Sequence, residues 1–310
     1  MHEMAERRPT EASLEDSLAL DEMQPSQILE LIHQQDGVAH AAVGRVLPQI
    51  AEAVEGEAMR EVSFGLSRLK PWEEQLTGAT VTEVEARGKA ILTRFDVGIA
   101  VYSHNQLYGK WYFRKAGNYP KTGRSLRMEL RGEKRSALLY SASEIEILRP
   151  EEEPDHPYLG KLGPDAVDPD VTRAEVLAQL EDPRFRGRNL GALLLDQSFV
   201  SGLGNYLRSE ILWWAGLHPS WRPKELDDED REDLARWILD VTRQSYETGG
   251  ITDCLERVED AKGRGVPFRH YRHAAFARAG RPCPECGTPV EKIDVGSRRL
   301  YLCVPCQPPR

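Results

Sequence analysis

A chain of 310 residues is long enough for two domains that each bury a core, and its 40% hydrophobic and 29% charged content is that of a globular protein. No apolar run approaches the ~20 residues of a membrane span, and the N-terminus never builds a basic region followed by an apolar core, so a soluble, cytoplasmic protein with no membrane partner is expected. The net charge of −9 weighs against nucleic acid only as an average: residues 1–37 carry nine acidic and two basic side chains, whereas residues 261–310 carry ten basic and three acidic.

Along the chain, residues 1–37 read as an acidic N-terminal extension with one short amphipathic stretch at 27–32. Residues 38–149 read as a β-sandwich domain. It opens on a helix, because apolar residues from Val46 to Val54 recur at helical spacing before Gly56. The period then drops to two at 80–86, 90–95, 99–102, 111–113, 126–130 and 137–140, which predicts short strands. The charged, proline-rich segment 150–157 is the expected linker. Helical spacing returns over 158–266, with helices predicted at 172–180, 189–199, 206–215 and 225–246, and residues 267–310 form a short basic tail interrupted by cysteines. The expected class is α+β and multidomain.

Cys283-x-x-Cys286 and Cys303-x-x-Cys306, separated by 16 residues, have the spacing of two turns closing on one tetrahedral Zn²⁺. Four thiolates leave no open position, so one structural zinc is expected in a finger hairpin. Cys254 has no partner in this pattern and reads as an ordinary packed residue. Gly296-Ser297-Arg298-Arg299 at the finger tip suits either a phosphate-gripping arginine or a solvated turn. Ser201-Gly202-Leu203-Gly204-Asn205 suits either an anion seat at a helix start or a plain interhelical turn. In the run from Tyr102 to Gly109, Gln106, Leu107 and Tyr108 can form a wedge that fills the space left by an extruded base, or Leu107 and Tyr108 can simply enter a strand core. Lys89, after Arg87-Gly88, is a phosphate ligand, a proton carrier or a solvated lysine.

Arg87-Gly88-Lys89-Ala90, the run Tyr102 to Gly109, Leu139-Tyr140-Ser141-Ala142-Ser143, Gly163-Pro164-Asp165, Leu194-Leu195-Asp196-Gln197 and the run Gly202 to Glu210 together resemble the Fpg/Nei family of DNA glycosylases, above all its endonuclease VIII branch. That branch removes oxidised pyrimidines and nicks the abasic site. The resemblance spans about 69–306. It implies a β-sandwich joined to a helix-two-turn-helix (H2TH) bundle and a zinc finger, acting as a monomer on double-stranded DNA with a damaged base or abasic site. By position, Lys89 matches the family's active-site lysine, Gln106, Leu107 and Tyr108 its void-filling triplet, Asn205 its phosphate-binding asparagine and Arg298 its finger arginine.

One departure is equally specific. Family members begin, after methionine removal, with Pro-Glu-Gly-Pro-Glu, whose proline amine attacks the sugar while the glutamate moves protons. Counted back without gaps, that motif falls on Val38-Ala39-His40-Ala41-Ala42. An amide nitrogen inside a continuous chain forms no Schiff base, and cleavage after Gly37 would expose the Val38 amine but leave Ala39 in place of the carboxylate. Lys89 is then the candidate amine. Two readings follow: a glycosylase and lyase with a substitute nucleophile, or a binder of damaged DNA. A finger module with no DNA role leaves the matched contacts unexplained.

Overall fold

The computed structural model describes residues 46–309 with the exception of Leu107. The acidic extension and the Val38–Ala42 position lie outside the described residues. Helix α1 (46–54) leads into eight strands: β1 (Glu61–Phe64), β2 (Val81–Arg87), β3 (Ala90–Phe95), β4 (Ile99–His104), β5 (Lys110–Lys115), β6 (Leu126–Arg131), β7 (Arg135–Tyr140) and β8 (Glu144–Leu148). They form two four-stranded antiparallel sheets, ordered β1-β6-β7-β5 and β2-β3-β4-β8. The expected sandwich is present, with α1 burying Ile50, Ala53 and Val54 in its core.

Strands β3 and β4 are apolar on both faces, and the packing explains why. Ile91, Phe95, Ile99 and Val101 face the sandwich core, while Ala90, Leu92, Ala100 and Tyr102 face a second, smaller core closed by Leu148 and Leu159. A strand covered on both sides reads as a continuous hydrophobic run. The expected linker and the residues that follow it, Tyr158, Leu159 and Leu162, cover the outer face as a pinned strap. Residues Pro150–Asp155 form a 3₁₀ turn, Glu153 accepts from Arg94 at 2.6 and 3.1 Å, and His156 is buried against Tyr102 with ring centroids 4.6 Å apart.

The helical half comprises α2 (Arg173–Glu181), α3 (Leu190–Leu193), α4 (Asn205–Trp214), α5 (Asp228–Glu247), α6 (Leu255–Gly263) and α7 (Phe268–Tyr271). A helix was expected across 189–199, yet only Leu190–Leu193 is helical. Asp196 accepts from the Ser198 N–H and hydroxyl at 2.8 and 2.7 Å, and such local bonds compete with helix continuation. Among the described residues no helix is long and apolar enough to cross a membrane.

The finger, with β9 (Glu291–Val295) pairing antiparallel to β10 (Arg298–Leu302), does not stand apart from the helices. Val290, Leu300, Leu302 and Cys303 belong to the same buried cluster as Leu207, Ile211 and Leu212 of α4. Glu210 of α4, fully buried, accepts the backbone N–H groups of Ala274, Ala275 and Phe276 at 2.6–2.8 Å, tying down the approach to the finger. Burial raises its carboxyl above the ordinary range, and these donors with the Thr252 hydroxyl pull it back. Leu300→Ala should therefore destabilise the helical half by about 2–5 kcal/mol, the cost of a large-to-small change in a shared core. Thermal unfolding followed by the helical circular-dichroism signal checks this; an unshifted helical transition would mean that the finger packs independently.

Candidate active site and nucleic-acid interface

The register of β2 with β3 pairs Arg87 with Ala90, leaving Gly88-Lys89 as a two-residue turn. Gly88 adopts φ +61°, and a Cβ there would come within 2.9 Å of the Tyr158 hydroxyl and 3.3 Å of Leu162. Both the left-handed backbone and the close approach require glycine. The approach exists because both amides of the turn are held from the other half of the chain. Gly88 N–H donates to Asp165 Oδ2 and Lys89 N–H to Tyr158 Oη, each at 2.9 Å. Asp165 also accepts from Val167 N–H at 3.1 Å. Burial raises its carboxyl, and the Val167 and Gly88 N–H groups draw it back.

Pairing of Ala90 with His104 brings Lys89 to the end of the sheet beside the β4–β5 turn. The His104 ring lies edge-on to Tyr158, centroids 5.3 Å apart. Its Nδ1 accepts the Gln106 N–H at 3.3 Å, so it has no proton for Glu144 Oε2, 3.4 Å away. Burial lowers the His104 pKa, Glu144 opposes this, and the positive charge of Lys89 lowers it further. A neutral imidazole beside the lysine follows at pH 7.

The turn itself is tight. Gln106 sits at φ 48° with Oε1 accepting from the Ser143 hydroxyl at 3.1 Å, and Gly109 N–H closes on Asn105 O at 2.7 Å. Tyr108 is 49% exposed, which removes the reading of it as a core residue, and its carbonyl accepts from Arg124 at 2.7 Å. Leu107 lies outside the described residues. Lys89, Gln106 and Tyr108 thus gather at one end of the sandwich.

Asn205 and Arg298 gather in a second group. Asn205 opens α4 and is almost wholly buried, with Nδ2 donating to Arg299 O at 2.9 Å and Oδ1 accepting from Arg208 at 2.6 Å. Arg208, also buried, donates to Gly191 O at 2.8 Å and Arg299 O at 3.1 Å, and reaches Arg298 O at 3.4 Å. It fastens the finger tip to the start of α4. The Asn205 amide spends its oxygen and one N–H on protein groups, so a phosphate contact there rests on the second N–H. A backbone bridge connects the two groups: Ser201 N–H donates to Pro164 O at 2.9 Å and Ala166 N–H to Ser201 O at 3.4 Å. The segment that grips Gly88 therefore also grips the glycine turn leading to Asn205, and Gly88, Leu159, Asp165 and Ser201 line a cleft of about 600 Å³. Sequence reasoning missed Tyr158; His104, Asp165 and Arg208 stood in runs it had singled out, but without a role of their own.

In the finger, the four sulfurs of Cys283, Cys286, Cys303 and Cys306 lie within 4.8 Å of one another. Cys283 to Cys306 is 3.9 Å and Cys286 to Cys303 is 3.3 Å, against about 3.8 Å between thiolates on a tetrahedral ion with ~2.3 Å bonds. The set fits one closed metal site. The Trp213 indole N–H donates to Cys283 Sγ at 3.4 Å, anchoring one sulfur to α4. Cys254 stands outside the cluster, its thiol donating to Glu256 at 2.5 Å.

Comparison with known proteins places these features in a context. The formamidopyrimidine-DNA glycosylase N-terminal domain family matches residues 37–142, and the formamidopyrimidine-DNA glycosylase H2TH domain family matches residues 162–255. The chain is 44% identical over 265 residues to Endonuclease 8 of Salmonella agona (strain SL483), covering 86% of this chain and 97% of that protein. Endonuclease 8 of Shigella sonnei (strain Ss046) is 43% identical over the same shares of the two chains. Among solved structures, Lactococcus lactis Fpg (MutM) in complex with DNA containing N7-benzyl-Fapy-dG superposes with a TM-score of 0.71 at 19% identity, over 87% of this chain and 99% of that one. Lactococcus lactis Fpg in complex with abasic-site DNA gives the same TM-score, identity and coverage.

The geometry of the cysteine cluster makes a direct prediction. Elemental analysis of the purified chain should return one metal ion per chain, and Cys303→Ser should lose it and lower the thermal stability of the helical half, because bound metal contributes to folding. A metal-free chain of undiminished stability would contradict the assignment.

Proposed function

The chain belongs to the formamidopyrimidine-DNA glycosylase family, and from that premise we propose that it acts in base-excision repair, as a glycosylase and abasic-site lyase of the endonuclease 8 kind on double-stranded DNA. The observation that carries the reading is the fixed turn at Lys89. Its backbone is held at both amides, its side chain stands beside a neutral histidine, and it shares an end of the sandwich with the exposed Gln106 and Tyr108. An exposed tyrosine beside a polar turn suits the space vacated by an extruded nucleotide. Asn205 and Arg298, fastened together at a helix start, suit the backbone phosphate of the same strand.

At an abasic site the ring-opened sugar presents an aldehyde at C1′. An uncharged amine adds to that carbon and water leaves, giving an iminium. The iminium acidifies a C2′ proton; its removal expels the 3′ phosphate, and hydrolysis returns the amine. In this chain the candidate amine is Lys89, since the gapless positions of the family's proline and glutamate hold Val38 and Ala39. Only the uncharged form of a lysine adds to the aldehyde, so turnover through it rises with pH. The four cysteines take Zn²⁺ in this reading, because a closed set of soft thiolates suits that ion. The ion cross-links the finger. The protein works in the cytoplasm as a monomer.

Borohydride trapping on duplex DNA with an abasic site tests the proposal, comparing the full chain, Lys89→Ala and a chain beginning at Val38. Adduct from the full chain, lost in Lys89→Ala and growing as pH rises from 7 to 9, is the expected outcome. Adduct confined to the Val38 chain would move the chemistry to a processed N-terminus. No adduct in any of the three would leave a binder of abasic DNA.

A further inference from the structure

Strand β5 is an edge strand, and the sequence from Asn105 to Met128 around it contains six basic residues and no acidic one, in a chain of net charge −9. None of the six, Lys110, Arg114, Lys115, Lys121, Arg124 and Arg127, forms an ion pair among the described residues. The carboxylates of the same sheet are already engaged. Glu61 and Glu129 both bind Arg131, at 2.6 and 2.8 Å, and Glu129 accepts in addition from Tyr119 and Ser136. Across the pair from Lys115 stands Arg135, a further cation, whose partner is Glu52 of α1.

The strand alternates cleanly. Trp111 and Phe113 pack on the sandwich core, whereas Lys110, Tyr112 and Arg114 share the outer face. There the Tyr112 ring carries Lys110 Nζ at 5.1 Å and Arg114 Cζ at 5.8 Å from its centroid, with Tyr140 edge-on at 5.3 Å. The ring holds two like charges in a fixed line and lowers the cost of ordering them. The line begins two residues after Tyr108, and Arg124 from the following loop closes on the Tyr108 carbonyl at 2.7 Å.

We propose that the outer face of β5, with Arg124 at its start, is a track for the sugar-phosphate backbone of the duplex flanking the lesion, continuous with the Gln106–Tyr108 turn. A cluster of cations whose nearest sheet carboxylates, Glu61 and Glu129, are already paired with Arg131 repels itself and is stabilised by a polyanion. From Tyr108 to Arg114 an extended strand advances about 20 Å, the rise of roughly six base pairs at ~3.4 Å each. The track therefore reads no base; it lengthens the footprint on one side of the lesion. The inference rests on the DNA-repair reading above and adds to it a flank dependence that the reading alone does not contain.

The test is a salt titration of binding to a duplex carrying a stable abasic analogue, with long flanks or with either flank cut to about three base pairs. Wild type should lose about tenfold in affinity when one particular flank is cut and little when the other is. Lys110→Ala/Arg114→Ala should lose a similar factor on the long duplex, show a salt slope smaller by about two, and be indifferent to the cut. Both side chains lie on the outer face, so the fold is retained; Arg114→Glu alone, with a larger loss on the long duplex only, is the second variant. Unchanged affinity and slope in the double variant, or an equal loss on the shortened duplex, would overturn the track. If wild type shows no salt-dependent binding to any of these duplexes, the functional reading itself falls, which separates the two failures.

Discussion

Two backbone N–H groups, those of Gly88 and Lys89, decide how the rest of this molecule is put together. A two-residue turn at a sheet end ordinarily gives such groups to water. Here Asp165 and Tyr158 take them, and both acceptors come from beyond the sandwich. The turn can be met only if residue 88 lacks a Cβ, if the strap after β8 lies flat on the outer sheet face, and if the Gly163–Asp165 segment is itself held against Ser201. Each condition is met by named contacts. The lysine, the glycine turn before α4 and the finger tip are then one connected series of hydrogen bonds, running through Asn205 and Arg208 to the carbonyls of residues 298 and 299.

Such a series costs stability. Arg208 and Glu210 lie fully buried on one helix, and removing charged groups from water is unfavourable unless several donors or acceptors replace the lost hydration. Both residues receive that replacement from backbone groups of distant segments, Arg208 from residues 191 and 299, Glu210 from 274–276. Apolar substitutes of equal size would fill the space without fixing the finger's angle. We attribute the use of charge here to placement, since a hydrogen-bonded guanidinium accepts few alternative positions of the hairpin, whereas a hydrophobic contact accepts many.

Much of the fold was legible because period and spacing survive in one dimension. The alternating strands from 80 to 140 and the two Cys-x-x-Cys pairs carry their geometry in the sequence. Strands β1 and β8 escaped notice. The segment 189–199 misled because its leucines keep helical spacing and Asn189 caps a helix start, while Asp196 turns the backbone through its side chain. At 150–157 charge and proline content marked a linker but could not show what anchors it, the pairing of Glu153 with Arg94. At the candidate site, Lys89, Asn205 and Arg298 were singled out by position. Tyr158 was not noticed and Arg208, though inside the run Gly202 to Glu210, was given no role, because a tyrosine at a domain start and an arginine in a helix have no pattern that announces a distant backbone partner.

The claim on which all of this turns is that the Lys89 turn is held from across the molecule. Amide hydrogen exchange read residue by residue in the DNA-free protein tests it most directly. The account predicts that the Gly88 and Lys89 amides exchange as slowly as those of β3, and that Tyr158→Phe accelerates Lys89 while Asp165→Ala accelerates Gly88. Exchange of both amides at the rate of an unprotected loop in the wild-type protein would contradict it.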